Sequence, residues 1–504
     1  MDVSPFVALL FIALLSLLLF ATRTSGRDGR RLPPSPPGLP LLGHLPLLGS
    51  LPHRNLQAMA AKHGPVMLLR LGRVPTVVAS AAAAAQEVMK TRDLAFASRP
   101  RMRMAERLIY GRDMVFAPYG EHWRQARRVC VVHLLSQRRV QSLRRARELE
   151  AAAMVDRVRR GGVQAVNVTA LIISYTNGII SRAAFGDGGS LYGGEELTKL
   201  FADFEGLLGT VTVGDFVPWL AWVDTLMGLD ARAARTSAQM DALLERVIAD
   251  HRQRRRDRRR EDDGHRDFVD VMLDVNDEAE GTGVMFDDVA IKAIVLDMFA
   301  AATDTTYTTL VWAMAELINH PHEMRRVQDE VRAAVVVSDG GRVTEDHLPK
   351  LCYLRCVIKE TLRLRTPLPL LVPHETTEDT ELLGYHVPAR SRVIVNAWAI
   401  ARDPAAWESP DEFVPERFAG DDLTADYLML GQDFRFVPFG AGRRGCPGVE
   451  FAVPSMELAL ASLLYHFDWE LPAGGPSKLE MHELNGLTVR FKATLRLVAK
   501  PWSR

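Results

Sequence analysis

Cysteine is scarce in this chain: four residues in 504, Cys130, Cys352, Cys356 and Cys446, at irregular spacing. That excludes a disulfide framework and a paired-cysteine zinc site, and it suits a reducing compartment. Net charge is missing too. Lys+Arg and Asp+Glu both number 62, so no bulk field advertises nucleic acid and any basic surface has to be local. Internal repeats are absent, and no glycine-rich dinucleotide fingerprint opens a βαβ unit, so the chain carries no nicotinamide or flavin module of its own. What it does have is hydrophobic content, 47% over 504 residues, enough to bury a large core in one body.

Long apolar runs are limited to one. FVALLFIALLSLLLFA, Phe6 to Ala21, is apolar apart from Ser16 and is followed by Arg23, Arg27, Arg30 and Arg31. The run predicts a single N-terminal transmembrane helix within residues 1–22, short enough for the thin endoplasmic reticulum bilayer. A cleaved signal peptide fits less well, because MDVSP carries Asp2 and no basic residue. Arginines on the C-terminal side alone place that side in the cytosol. Residues 23–45 form a basic and proline-rich linker, in which LPPSPPGLPLLGHL has five prolines and two glycines and favours an extended connector. Residues 46–504 remain as one catalytic body.

That body reads as mainly helical with small sheets. VMLLRLGRVPTVVAS (66–80) and ELLGYHVPARSRVIVN (381–396) carry hairpin patterns. The stretch Phe286–His320, free of glycine and proline, predicts a helix about 50 Å long, apolar on most sides and therefore interior. Pro321 then opens another helix. The run HRQRRRDRRREDDGHRD, His251 to Asp267, is the strongest local charge anomaly. It has no interleaved aromatics for base stacking, so it reads as a solvated helix end and loop.

The chemistry centres on FGAGRRGCPG, Phe439 to Gly448. A lone cysteine is usually a small buried hydrophobe. Here Gly442 and Gly448 permit a tight turn with close backbone approach. The helix expected behind Cys446 aims N–H groups and the positive end of its dipole at the sulfur, which favours a thiolate. Arg444 can meet an anionic group on the same ligand.

On these residues the sequence resembles the cytochrome P-450 haem-thiolate family, whose signature FxxGxRxCxG is matched by Phe439, Gly442, Arg444, Cys446 and Gly448. The resemblance implies the cytochrome P-450 fold, mainly α with small β-sheets, haem b (iron protoporphyrin IX) as cofactor and Cys446 as its axial iron ligand. Other family motifs follow in order. KETLR supplies Glu360 and Arg363 at i and i+3, PERF supplies Arg417, and the resemblance makes these three a structural ion-paired network. EHWRQARR carries Trp123 and Arg127 at i and i+4, which the resemblance places at a haem propionate together with Arg444 and His374. Many relatives have arginine where His374 stands.

The reaction class turns on AATDTT, Ala301 to Thr306, in mid-helix, where a buried carboxylate demands a partner. The resemblance makes Asp304 and Thr305 an acid–alcohol pair that guides protons to dioxygen, while the axial thiolate pushes electron density that helps O–O cleavage. Ala302 replaces the usual glycine, and Thr305 can still bond back to the Ala301 carbonyl. Pro454 is expected to kink or delay the helix behind the cysteine.

Further stretches, FAPYGEHWRQARR among them, resemble the plant A-type group, the seventy-one clan, including grass members that oxidise indole-derived metabolites. Substrate contacts are expected within residues 104–110, 201–213, 299–305, 368–372 and 487–488, with Met104, Ala301, Leu370 and Leu487 representing them. These are mostly apolar, which suits a small hydrophobic or aromatic substrate. Arg101, Arg103 and Arg107 are either solvated or greet an acid at the channel mouth. The resemblance implies NADPH–cytochrome P-450 reductase as electron donor, docking on Arg124, Arg128, Arg138, Arg139 and Arg443. Two alternatives stay open at this point: a haem-thiolate isomerase or dehydratase that does not use dioxygen, and a non-catalytic haem-binding membrane protein.

Overall fold

In the computed structural model the apolar pattern that begins at Phe286 forms one helix of 32 residues, Asp288–Asn319. The structure describes residues 30–162, 164–186, 194–257, 266–279, 286–335, 341–420 and 433–503. The expected membrane segment therefore lies outside the described residues. Among those described, no helix is long and apolar enough to cross a membrane.

The helices that matter for the site are α1 (Arg103–Leu108), α2 (Glu121–Val129), α3 (Arg144–Gly161), α4 (Val168–Phe185), α5 (Gly194–Leu208), α6 (Leu229–Asp257), α7 (Asp288–Asn319), α8 (Pro321–Ala334), α9 (Cys352–Leu364) and α10 (Val449–His466). The Asp287 side chain caps α7 by accepting the Ala290 N–H, and Asp288 complements the dipole. At the other end His320 precedes a proline and leaves the helical region. Ile291, Ile294, Leu296, Phe299, Trp312 and Met314 are buried around the whole circumference of α7. Its neighbours explain why: α4 lies along it, and α9 and α10 pack against it.

The sheets sit at the periphery. β1 (Val66–Leu71) and β2 (Val74–Ala79) form the expected hairpin, with Val66 opposite Ala79. The other strands are β3 (Ala165–Asn167), β4 (His374–Glu375), β5 (Thr380–Leu382), β6 (Tyr385–Val387), β7 (Arg392–Val395), β8 (Phe467–Glu470), β9 (Glu483–Leu484), β10 (Arg490–Phe491) and β11 (Arg496–Pro501). They assemble as β1-β2-β7-β4, β3-β11-β8 and two pairs, β5-β6 and β10-β9.

Three expectations change. Within 381–396 only β5 and β6 pair as a hairpin; β7 leaves it to run parallel to β2 and antiparallel to β4. All four β7 residues are buried, and a strand covered on both faces belongs inside a sheet. The proline-rich linker is not a free spacer at its C-terminal end. Leu68 N donates to Pro34 O, Arg70 N donates to His44 Nδ1, and Gly43 bridges to Leu71. Gly43 has φ +59°, and a Cβ there would stand 2.0 Å from Arg70 O, so only glycine fits. Finally, α10 starts at Val449 and runs through Pro454 without delay. Proline at its sixth residue forfeits only the bond to the Glu450 carbonyl.

The basic run is absorbed by ion pairs. Arg252 meets Asp288 at 2.6 Å and Arg255 meets Asp274 at 2.8 Å, while residues 258–265 lie outside the described residues. Buried His251 stands 2.6 Å from Val247 O through Nδ1 and 2.7 Å from Asp267 Oδ2 through Nε2. Both neighbours are hydrogen-bond acceptors and favour the imidazolium form, although Arg254 Nη2 also lies 3.0 Å from each ring nitrogen. Burial opposes that charge, as does nearby Arg254, but Asp267 and the Val247 carbonyl outweigh them and the pKa rises above its ordinary value. A raised folded-state pKa gives stability that is complete below the unfolded value of 6.5 and fades as pH rises through the folded one. His251→Gln should therefore cost roughly 3 kcal/mol in mildly acidic buffer and progressively less in alkaline buffer. Thermal unfolding of wild type and variant across pH measures the difference.

Candidate haem-thiolate site

The cysteine loop is built by close backbone contact. Cys446 N donates to Phe439 O at 2.8 Å and Gly445 N to Gly442 O at 3.1 Å, which folds Phe439–Cys446 back on itself. Gly442 takes φ +64°, and a Cβ there would lie 1.8 Å from Met89 O, so the loop can press onto the Glu87–Thr91 turn only with glycine. α10 begins at Val449, and the Gly448 N–H points to Cys446 Sγ at 3.4 Å.

Cys446 is exposed only toward a cavity that it lines with Phe439, Gly448, Ala301, Ala302 and Thr305. Burial pushes the thiol pKa up, against the Gly448 N–H and the positive charge of Arg127. The charge of a bound metal ion would complete the thiolate.

At one edge of the cavity stand Trp123, Arg127, His374 and Arg444, all four predicted, and Arg99, which was not. Arg444 donates through Nε to Ala97 O at 2.7 Å and through Nη2 to Ala117 O at 2.8 Å, and its guanidinium lies 4.1 Å from the Trp123 ring centroid. Trp123 Nε1 donates to Met114 O at 3.0 Å. Arg99 Nη1 donates to Pro373 O at 2.9 Å, just ahead of His374. Nothing in ASRPR separates a buried arginine from the solvated ones nearby. Arg101 is indeed exposed, and Arg103 and Arg107 pair with Asp230 at 2.8 and 2.9 Å.

Three guanidiniums share this wall, and among the described residues Asp113 is the nearby carboxylate acting on Arg99 and Arg444. Burial and the mutual repulsion of Arg99 and Arg444 hold Arg99 well below the usual arginine range. Arg444 is brought down to about 9, chiefly by burial, with Asp113 resisting and Arg127 adding to the fall. His374 is likewise depressed by burial and by Arg99. Its Nδ1 lies 2.8 Å from Phe96 O, so Nδ1 carries the proton and Nε2 can donate only as an imidazolium, a form that an adjacent anion would favour. Such a cluster calls for an anionic group.

The remaining predicted residues fall in two places. Glu360 and Arg363 form a fully buried bidentate pair, with both contacts at 2.7 Å, and Arg417 Nε joins Glu360 Oε1 at 3.0 Å. Arg363 also donates to the carbonyls of Ala401, Pro410 and Glu412. This network ties α9 to the segment that leads into the cysteine loop. On the cavity side of α7, Thr305 Oγ1 donates to Ala301 O at 2.7 Å. Asp304 does not line the cavity; it is fully buried, with Arg490 Nη2 at 2.7 Å.

Of the substrate residues, Ala301 lines the cavity, joined by Met298, Leu368, Leu371 and Val372. Met104, Leu370 and Leu487 lie outside its lining. Met104 is packed in the main core, Leu370 packs beside Phe216 and Val217, and Leu487 lies against Gly209 at the end of α5. Phe201 of the 201–213 segment is also committed elsewhere, stacked on Phe299 with ring centroids 3.6 Å apart.

A thiol under an apolar slot, with a cationic edge to one side, fits a flat macrocycle that carries a metal at its centre and carboxylates on its rim. That donor set defines a haem-thiolate protein. The cytochrome P450 family model matches residues 33–494. The chain is 46% identical to cytochrome P450 71A1 of Persea americana over 91% of each chain. It is 43% identical to (+)-menthofuran synthase of Mentha piperita over 97% of each. A solved structure, a zebra fish cytochrome P450 with abiraterone, superposes with a TM-score of 0.76 at 25% identity, covering 90% of this chain and all of that one. The chain belongs to the cytochrome P450 family, among the plant seventy-one clan, and is a haem-dependent monooxygenase.

Cys446 would be the axial ligand, and Arg99, Trp123, Arg127, His374 and Arg444 would hold the propionates. Cys446→Ser should abolish the thiolate-type carbon monoxide difference spectrum while leaving the far-ultraviolet circular dichroism unchanged. Arg99→Leu removes a charge-assisted donor worth about 1.5–3 kcal/mol and should speed haem transfer to apomyoglobin by roughly 10- to 100-fold.

Proposed function

We propose that this monooxygenase inserts one oxygen atom of dioxygen into a small hydrophobic or aromatic plant specialised metabolite, indole-derived compounds being one class to test first. The observation that carries this reading is the distribution of charge in the cavity. Among the residues that line it, formal charge is confined to the edge formed by Arg99, Arg127, Arg444 and His374. Met298, Ala301, Leu368, Leu371 and Val372 leave the rest apolar, suited to excluding water and to binding a neutral substrate.

When bound, haem supplies dioxygen activation at a thiolate-ligated iron. The chain's own part is to hold and move protons. Thr305 gives its hydroxyl hydrogen to the Ala301 carbonyl, so its lone pairs are free to accept a bond from the cavity side. Asp304, next in the chain and buried, is the acid of the pair.

Electrons would come from NADPH through a separate reductase. Arg124 and Arg128 are exposed on α2, Arg138 is exposed a little further along the chain, and Arg443 is exposed in the cysteine loop, where it pairs with Asp93 at 3.0 Å; an acidic flavoprotein would need such a set of arginines. Arg139 does not join that patch; half-buried, it is turned toward the charges of Asp267, Asp270 and Asp274. The apolar N-terminal run and its flanking arginines support a single-pass anchor in the endoplasmic reticulum membrane with the catalytic domain in the cytosol.

The test is reconstitution with a plant reductase and NADPH against plant metabolite extracts, read by mass spectrometry. A product heavier than its substrate by one oxygen atom, formed only with NADPH and dioxygen, is expected. Isomerised or dehydrated products without NADPH would overturn the reading.

A further inference from the structure

Behind the cavity wall, three elements bring a second carboxyl group to Asp304. α5 supplies Glu205, α7 supplies Asp304 and Tyr307, and β10 supplies Arg490. The Arg490 Nη2 atom stands 2.7 Å from Asp304 Oδ1 and 3.7 Å from Glu205 Oε2, so one guanidinium serves two carboxyl groups. The Asp304 side chain is 1% exposed and that of Glu205 7%, whereas Arg490 at 30% reaches solvent. Among the described residues, Glu205 Oε1 and Arg490 Nε are buried without a hydrogen-bond partner, while Thr488 and Tyr307 hydrogen-bond Asp304 and act with Arg490 to lower its pKa.

The arrangement is held rigidly. Thr308 and Thr488 meet through their hydroxyls at 3.0 Å, and Trp312 Nε1 donates to Val489 O at 3.0 Å, which pins the strand of Arg490 to α7. Gly209, whose N–H bonds the Glu205 carbonyl, lies so close that a Cβ would be 2.2 Å from Leu487 N. The end of α5 is thereby pressed onto the same loop.

Two carboxylates facing one guanidinium would leave an uncompensated buried negative charge, and retaining one proton on the pair avoids it. Burial raises the pKa of both groups, each is opposed by Arg490, and Asp304 adds to the rise at Glu205. Tyr307, pushed up by burial and by Asp304, stays neutral. Arg490 is closer to Asp304, so Asp304 is the carboxylate and Glu205 holds the proton.

We propose that Glu205 is a proton store behind Asp304, with Arg490 as the movable counter-charge. In the transfer, the O–H bond of Glu205 breaks and one forms on Asp304, while Arg490 shifts its pairing to the new Glu205 carboxylate. A solvent proton entering along the exposed side of Arg490 restores Glu205. Monooxygenation converts substrate, dioxygen, NADPH and a proton to hydroxylated product, water and NADP+, so protons must be resupplied each turnover. The proposal rests on the reading of Asp304 and Thr305 as the acid–alcohol pair. Glu205 acts through Asp304, not on the substrate.

The test uses the full chain with haem. The wild-type infrared spectrum minus that of Glu205→Gln should contain the carbonyl stretch of a protonated carboxyl at neutral pH that shifts in D2O and titrates away in alkali. With reductase and no added substrate, NADPH consumption should fall with rising pH in wild type. It should be roughly tenfold slower and flat with pH in Glu205→Gln, and regain its slope in Glu205→Asp. Absence of that band from the difference spectrum, or a pH profile of Glu205→Gln that superposes on wild type, overturns the store. If Asp304→Asn slows NADPH consumption while Glu205→Gln does not, only the store falls. If Asp304→Asn is also without effect, the acid–alcohol reading falls with it.

Discussion

The haem edge depends on one guanidinium caged by carbonyl oxygens. Arg444 stands two residues before the cysteine, yet its hydrogen bonds go to Ala97, Met114 and Ala117, in two other segments. The loop that supplies two of those carbonyls is itself held from behind. Asp297 on α7 accepts the N–H groups of Met114 and Val115 at 2.5 and 3.2 Å, and Asp113 accepts those of Phe116 and Ala117. The N–H groups of Met114 to Ala117 therefore face acids and the C=O groups of Met114, Val115 and Ala117 face Arg444, Arg99 and Trp123, so the backbone polarity of this loop joins α7 to the cysteine loop. Burial and the neighbouring Asp113 keep Asp297 above the usual carboxyl range, against the Met114 and Val115 N–H groups it accepts.

A second buried cluster fixes the other side of the loop, and its worth is geometric more than energetic. Taking Glu360, Arg363 and Arg417 out of water costs several kcal/mol per ion, and ion pairing roughly offsets this. What the pair adds is direction. Arg363 uses its planar fork on Glu360 and still reaches three backbone carbonyls between Ala401 and Glu412. A hydrophobic substitute would fill the space without specifying where that chain segment lies, and the cysteine loop follows that segment.

What could be read from sequence follows from how local the constraint is. The course of α7 was legible because its caps, its lack of breakers and its apolar circumference are all properties of one continuous stretch. The same holds for the 66–79 hairpin, for Glu360 with Arg363 one turn on, and for the cysteine loop, where glycines at fixed offsets encode close approach. Arg99 was illegible because an arginine between Ser98 and Pro100 has the same local signature buried or solvated. The docking of residues 34–44 on β1, the departure of β7 from its hairpin, and the pairing of Asp304 with Arg490 are all contacts between distant segments. So are the packing of Met104 into the core and of Phe201 onto Phe299, which removed residues expected at the substrate from the cavity wall.

The alanine at position 302 shows how such a departure from the family pattern should be weighed. Glycine at that position is a backbone device, and its loss would matter most if the Thr305 hydroxyl depended on a distorted helix. Here α7 is unbroken, and the hydroxyl is anchored on the carbonyl of Ala301, one residue earlier. The Ala302 methyl joins the cavity lining without displacing that bond. Its effect is therefore one of cavity volume, while Asp304 lies off the cavity wall and pairs with Arg490. If Asp304 supplies protons as proposed, cavity shape and proton supply are set on two faces of one helix, and a substitution on the cavity face can retune substrate fit without altering the acid behind it.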